Sequence, residues 1–378
     1  MGEKRVFGLD LMRFVAIICV LLAHTVSLVS ARRIVNIVCT YNAVIGVELF
    51  FVLSGFLIGT IIIKTHTKAP VTNFGSIKEF WIRRWFRTLP NYYLMLIVNL
   101  LIFSILYPLP ISVNKLWTYV VFLQSAITEE ANVFFGIAWS LCVEEWFYLL
   151  FPLILFIVQF VVRGKKPSLL TVILIFILFP LIGRYIFSVN SHIKWDAGYR
   201  KITFIRLDSI GIGVLFAYIK FYHEKVWDAY RRQCFVLGIT LFTALLVYVY
   251  YGYIINAAPG TAIENAHTGV FMNTLFFTLL SLSIGLLLPA IYAISVKTET
   301  FIHKGVTFIS LTSYSLYLLH PIVIILVIKY LPPISGVLTF VEVWIISITL
   351  AYLQYTYFEK RMTALREYFS KKKQANTF

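Results

Sequence analysis

The chain has 378 residues, of which 60% are hydrophobic and only 13% charged, with a mean hydropathy of +0.85. A soluble domain carries about a quarter of its residues as charges, so an ordinary soluble globule is excluded. The net charge of +16 raises nucleic acid as a partner, but the placement of those charges, described below, excludes it. The composition reads as an all-α, polytopic helical membrane protein. Aromatic residues at 17% suit a chain that must anchor at two membrane interfaces.

Apolar runs of helical length predict about ten transmembrane helices, near residues 8–30, 42–63, 91–109, 138–162, 168–188, 203–222, 233–253, 269–295, 305–329 and 334–357. The first run is long and is followed by a second without a small-residue cleavage site, so it reads as a retained span. The segment Trp117–Gln124 is too short to cross and is expected to dip into the membrane or lie at its interface. Residues 1–362 are expected to form one membrane domain, and 363–378 a basic cytoplasmic tail.

Orientation follows from lysine and arginine. With the N-terminus inside, ten spans return the C-terminus inside, so both termini are expected to be cytoplasmic. Of the 33 lysines and arginines, 23 then fall in inside segments, 7 in outside segments, and 3 (Arg13, Arg184 and Arg206) in or beside spans. This asymmetry accounts for most of the positive charge and leaves no basic patch for nucleic acid.

The first span, GLDLMRFVAIICVLLAHT, contains Asp10, Arg13 and His24. Ionisable groups in a span are costly and mark functional sites by default. Arg13 and His24 are separated by about 16 Å of helical rise, with Arg13 toward the cytoplasm and His24 toward the outside. The bland readings are an Asp10–Arg13 ion pair and a helix-end histidine bonded to a backbone carbonyl. The functional readings are an anion contact at Arg13, whose planar fork suits phosphate, and a general base at His24, whose ordinary pKa lies near working pH.

The second span carries Glu48 among Val, Leu and Phe, followed by Ser54 and Gly55, small residues that permit close helix approach. The loop Phe80–Pro90 holds Arg83, Arg84 and Arg87 beside Trp81 and Trp85. It serves either topology or a phosphate-binding patch, with Arg84 and Arg87 on one face. Trp139–Tyr148 carries adjacent Glu144 and Glu145, which point about 100° apart, so at most one faces a given cavity. Arg206 and Asp208 open the sixth span, and His320 precedes Pro321 in the ninth. Glu144, Glu48 and Asp208 are the carboxylates available to orient His24. Glu48, Asp208 and His320 are also candidates for contacts to substrate. The sequence has no HExxH zinc site, no phosphate-binding P-loop and no GxSxG elbow.

In chain order these pieces resemble the acyltransferase family 3 of integral membrane O-acyltransferases. The resemblance rests on Arg-x10-His (Arg13, His24), GxxxFFxxSGFLI (Gly46–Ile58) and the arginine-rich segment ending at Pro90. It continues through WSLxxExxFY (Trp139–Tyr148), RLDxxxxG (Arg206–Gly213), YSLYLxHP (Tyr314–Pro321) and FEK (Phe358–Lys360). Two positions depart from the family pattern, with Glu48 where Asp is frequent and Trp146 where Gln is common.

The resemblance implies transfer of an acyl group, most simply acetyl, from cytoplasmic acyl-CoA to a hydroxyl of a surface or exported saccharide or its lipid-linked precursor. Lipopolysaccharide, exopolysaccharide and peptidoglycan are the acceptor classes. It makes His24 the base or the acyl carrier and Glu144 its orienting carboxylate, and it brings Arg13, Arg84 and Arg87 to the CoA phosphates. Acetyl-CoA would be a co-substrate, with no metal or permanently bound cofactor. The expected location is the bacterial inner membrane, and the expected chain is a stand-alone membrane transferase. The competing reading is a transporter or flippase for a sugar-lipid or small anion. An inverted repeat would favour it, and none is visible.

Overall fold

The computed structural model describes residues 5–29, 33–68, 74–106, 113–126, 134–161, 165–190, 193–251, 269–296, 300–331 and 335–371. Among them there is no strand, and nine helices are long and apolar enough to cross a membrane. The principal helices in chain order are α1 (Phe7–Thr25), α2 (Arg33–Lys68), α3 (Phe74–Leu106), α4 (Val113–Val120), α5 (Ala138–Val161), α6 (Lys165–Asn190) and α7 (Leu207–Tyr222). They continue with α8 (Glu224–Ala229), α9 (Arg231–Val249), α10 (Val270–Asn273), α11 (Leu275–Tyr292), α12 (Phe301–Tyr330), α13 (Gly336–Gln354) and α14 (Lys360–Lys371).

The sixth expected span, 203–222, is not among the nine. It is a 3₁₀ turn, Thr203–Ile205, followed by the 16-residue α7. That helix rises about 24 Å. Its N-terminal half is buried on all sides among α2, α6 and α11. Burial against protein explains why it tolerates Arg206 and Asp208 at its start.

Two further expectations change. The arginine-rich segment Phe80–Pro90 is not a loop, because α3 runs through it and through Pro90 without a break. The start of the basic tail is also helical. α14 follows a π-turn at Tyr355–Glu359, and it lies on α3 with Phe369 stacked on Phe86. Residues 372–378 lie outside the described residues. The outer faces of the long helices expose large apolar side chains, among them Ile105, Val161, Phe179 and Ile345. Exposure of this kind suits lipid rather than water, and the chain is a multi-pass membrane protein.

Close approach of α2 and α7 holds the centre. A Cβ on Gly55 would sit 2.0 Å from the Ile210 carbonyl oxygen, and one on Gly213 would sit 2.1 Å from that of Val52. The small-residue run read in the second span is thus a helix-packing seam. Gly55→Val is expected to force the helices apart at the usual overpacking cost of about 1–3 kcal/mol or more. The check is a lowered melting temperature and loss of a monodisperse peak in detergent.

Candidate active site

α1 is one unbroken helix, so Arg13 and His24 keep the rise of about 16 Å expected of their spacing. Around the Arg13 end, the facing helices bring several guanidinium groups together. Arg84 and Arg87, i and i+3 on α3, share a face and line a central cavity of about 830 Å³ with Arg13, Glu144 and Glu359. Arg83 points away and pairs with Glu79 at 2.7 Å on the surface. Arg84 donates to the Tyr148 hydroxyl. Arg87 has no hydrogen bond or ion pair among the described residues and is accessible from the cavity.

The central cavity adjoins a wider vestibule of about 1690 Å³, and Arg13, Leu57, Arg87 and Leu311 line both. The charged lining of the vestibule is Arg5, Arg13, Lys64, Arg87 and Lys220 against Asp10 and Glu224. Five cations against two carboxylates leave an excess that favours a polyanion. The Asp10–Arg13 pair expected as the bland reading is only a secondary contact, at 3.5 Å. Asp10 is instead held by Arg5 at 2.5 and 2.8 Å and by the Ser310 hydroxyl at 2.9 Å. Arg13 therefore has donors to spare.

His24 lines neither cavity. It is exposed at the far end of α1, with its ring centroid 5.0 Å from that of His320. His320 is fully buried and lies 5.9 Å from the Tyr317 ring. The Tyr317 hydroxyl meets Ser140 at 2.6 Å, and both residues line the central cavity. A row of polar groups, Ser140, Tyr317, His320 and His24, thus connects the cavity to the exposed end.

The bland reading of His24 also holds, and it helps the functional one. Nδ1 donates to the Val20 carbonyl at 2.8 Å. A carbonyl only accepts, so this bond places the proton on Nδ1 and leaves Nε2 with a free lone pair. His320 repeats the arrangement with the Leu316 carbonyl at 3.2 Å, and its Nε2 has no partner among the described residues.

The carboxylates sort differently from expectation. Glu144 does not orient His24. It accepts from the Ser54 hydroxyl at 2.7 Å within the central cavity, because α5 turns that face toward α2 and α3. Glu145, about 100° around the helix, accepts from Thr88 at 2.7 Å. The charged groups acting on His24 are Arg200, Lys201 and Asp196, which precede α7 in the chain. Burial pushes the Asp196 carboxyl up, but Arg200 and Lys201 more than offset this and hold it down at about 2. Asp196 therefore keeps its charge throughout the neutral range.

Glu48 and Asp208 line neither cavity either. Glu48 is 1% exposed, pairs with Arg206 and accepts from Ser281 at 2.6 Å. Asp208 binds Arg184 through both oxygens at 2.8 and 2.6 Å, with both side chains fully buried. Both belong to the frame around α7, and the substrate contacts expected of them have no counterpart in this arrangement. Glu359 was missed. It stands in the π-turn of the FEK motif, takes hydrogen bonds from Ser315 at 2.5 Å and Asn91 at 3.1 Å, and faces the central cavity. π-turns of this kind mark functional positions, but a π-turn is invisible in an apolar sequence run. Among the described residues no cluster of His, Cys, Asp or Glu is placed to hold a metal.

The sequence model of the acyltransferase domain family matches residues 6–355. The chain is 30% identical over 192 residues to the peptidoglycan O-acetyltransferase OatA of Listeria monocytogenes, covering 46% of this chain and 28% of that protein. It is 29% identical over 229 residues to the O-acetyltransferase OatA of Staphylococcus aureus, covering 56% of this chain and 34% of that protein. The match thus spans about a third of the length of these curated relatives. No solved structure matches. With a family model running nearly from end to end, the chain belongs to the acyltransferase 3 family.

Proposed function

We propose that the protein transfers an acetyl group from cytoplasmic acetyl-CoA to a hydroxyl of a cell-surface or exported polysaccharide, or of its lipid-linked precursor, across the bacterial inner membrane. One observation carries this reading: the cationic vestibule adjoins the central cavity, and a row of polar side chains, Ser140, Tyr317 and His320, leads from that cavity to His24. The lysine and arginine asymmetry supports placing the vestibule inside and His24 outside. The nucleotide and phosphates of CoA bind in the vestibule against Arg13, Arg87 and their cationic neighbours. The pantetheine arm lies in the central cavity, with Arg84 and Glu144 on its walls. The thioester then points toward Tyr317 and the histidine pair.

On the other side, His24 Nε2 takes the proton from the acceptor hydroxyl as its oxygen attacks the thioester carbonyl. The C–S bond breaks, CoA leaves as thiolate, and the imidazolium proton returns to it or to water. Holding both reactants at the ends of one path converts a bimolecular encounter into a positioned attack. The bond to Val20 keeps the basic nitrogen directed away from the helix.

Purified protein in detergent or nanodiscs, given acetyl-CoA and a saccharide acceptor, should form an acetylated product; a transporter would form none. Arg87→Ala and Arg13→Ala should each raise the KM for acetyl-CoA by about ten- to a hundredfold, the loss expected for one desolvated charge-assisted contact. The acceptor KM should stay within twofold. An unchanged KM for acetyl-CoA in both variants would remove the vestibule from CoA binding.

A further inference from the structure

The vestibule is lined unevenly. Arg13, Leu57, Arg87 and Leu311 form its neck, because they line both the vestibule and the central cavity. Beyond the neck, Phe56 of α2, Phe221 of α7 and Tyr292 of α11 bring aromatic rings to the lining, and Lys220 of α7 stands among them. The Lys220 ammonium lies 3.0 Å from the centroid of the Tyr292 ring and 5.9 Å from that of Phe56. The rings brace one another. Phe56 stacks on the buried Trp227 with centroids 5.9 Å apart, and it meets Tyr292 edge-on at 5.9 Å.

Lys220 differs from the other cations beyond the neck. Arg5 is held by Asp10 at 2.5 and 2.8 Å. Lys64 is exposed and has a partner of its own. Lys220 is half-buried and has no hydrogen bond or ion pair among the described residues. Glu224 lines the same vestibule, but α7 ends at Tyr222, so Glu224 is not its neighbour one helical turn on. No ion pair joins the two among the described residues. A ring face attracts an ammonium through its quadrupole. It holds Lys220 in place while leaving N–H donors for a ligand on the open side.

These features match the far end of CoA. Its pyrophosphate joins the pantetheine arm to an adenosine whose ribose bears a separate 3′-phosphate. With the arm through the neck and the pyrophosphate against Arg13 and Arg87, the adenosine and its 3′-phosphate lie in the body of the vestibule. About 740 Å³ of the vestibule can hold the centres of water-sized groups, inside the range of small-molecule pockets at about 300–1,000 Å³. A purine stacks on aromatic rings, and Phe221, 42% exposed, offers an open ring next to Lys220 in the chain. A lysine binds phosphate as a point charge. Resting on the acyl-CoA reading above, we propose that Lys220 binds the ribose 3′-phosphate of CoA and so makes the protein select CoA over its 3′-dephospho form.

Isothermal titration calorimetry of the full chain in detergent, with CoA and 3′-dephospho-CoA as the two probes, reads binding without turnover. The wild type should bind CoA about tenfold more tightly or better, the value of one charge-assisted contact. Lys220→Met keeps an aliphatic stem on the Tyr292 ring and removes the charge. It should weaken CoA alone and bring the two affinities within about threefold of each other. Lys220→Gln, a second neutral variant, guards against a local packing failure and should behave alike. Lys220→Arg restores a cation and should keep most of the preference for CoA. A loss shared equally by both probes in the neutral variants makes Lys220 structural and overturns the proposal. So does a preference that survives in them. A wild type that binds both forms alike overturns Lys220 as the selector and leaves CoA in the vestibule. A wild type that binds neither form overturns the acyl-CoA reading and the Lys220 assignment together.

Discussion

His24→Ala is expected to lower acetyl transfer by roughly 10²–10⁴-fold, the usual contribution of a positioned general base, while leaving the fold intact. The two halves of this expectation rest on the same geometry. His24 is exposed, and its one hydrogen bond is to the carbonyl four residues back on its own helix. Removing the ring opens no cavity in the core and strands no buried partner. The same bond fixes the neutral tautomer with Nε2 free, the nitrogen a base needs. His24→Asn is the sharper variant, because its amide can keep a contact to Val20 but cannot accept a proton at neutral pH. Product formation in purified protein and the melting temperature are the two measurements. A variant that transfers acetyl groups at more than a tenth of the wild-type rate would remove His24 as the base. His320→Ala should have a smaller effect on rate, because His320 supports the His24 ring from the side without being exposed to the acceptor.

Periodicity and charge made most of the helices and the Arg13–His24 spacing legible, because each is a property of a single segment. Arg84 and Arg87 were placed on one face for the same reason, and the structure turns both into the central cavity. What the sequence did not reveal depends on partners from distant segments. Glu48 and Asp208 looked like costly carboxylates awaiting a substrate. Their cations, Arg206 and Arg184, belong to other segments, and nothing in a linear reading pairs residues 24 or 158 positions apart. Glu144 was matched to His24 because both were expected in the same leaflet. Depth alone does not give the face of the helix, and α5 turns Glu144 toward Ser54 and the arginines.

Asp208→Ala is expected to destabilise the protein by about 3–5 kcal/mol, the cost of stranding one partner of a buried ion pair. Arg184 uses every one of its five N–H donors: Nε to Thr274 at 3.0 Å, Nη1 to Ile205 and Asp208, and Nη2 to Asp208 and Thr278, each at 2.6 Å. Thr278 in turn donates to Asp208 at 2.6 Å. The network ties α6, α7 and α11 together at the point where α7 begins. Losing the carboxylate leaves a guanidinium with no water and no counter-charge. The double variant Arg184→Leu with Asp208→Ala removes both charges and should recover a large part of that loss, since an apolar replacement for a buried pair is often near neutral. Melting temperatures of the single and double variants in one detergent decide the matter. A substrate-binding Asp208 makes the opposite forecast: a well-folded single variant with a raised acceptor KM, and no rescue by the second substitution. Recovery in the double variant would fix Asp208 as part of the frame that holds α7 against α2, and so holds Ser54 and Glu144 in the cavity that α2 helps to line.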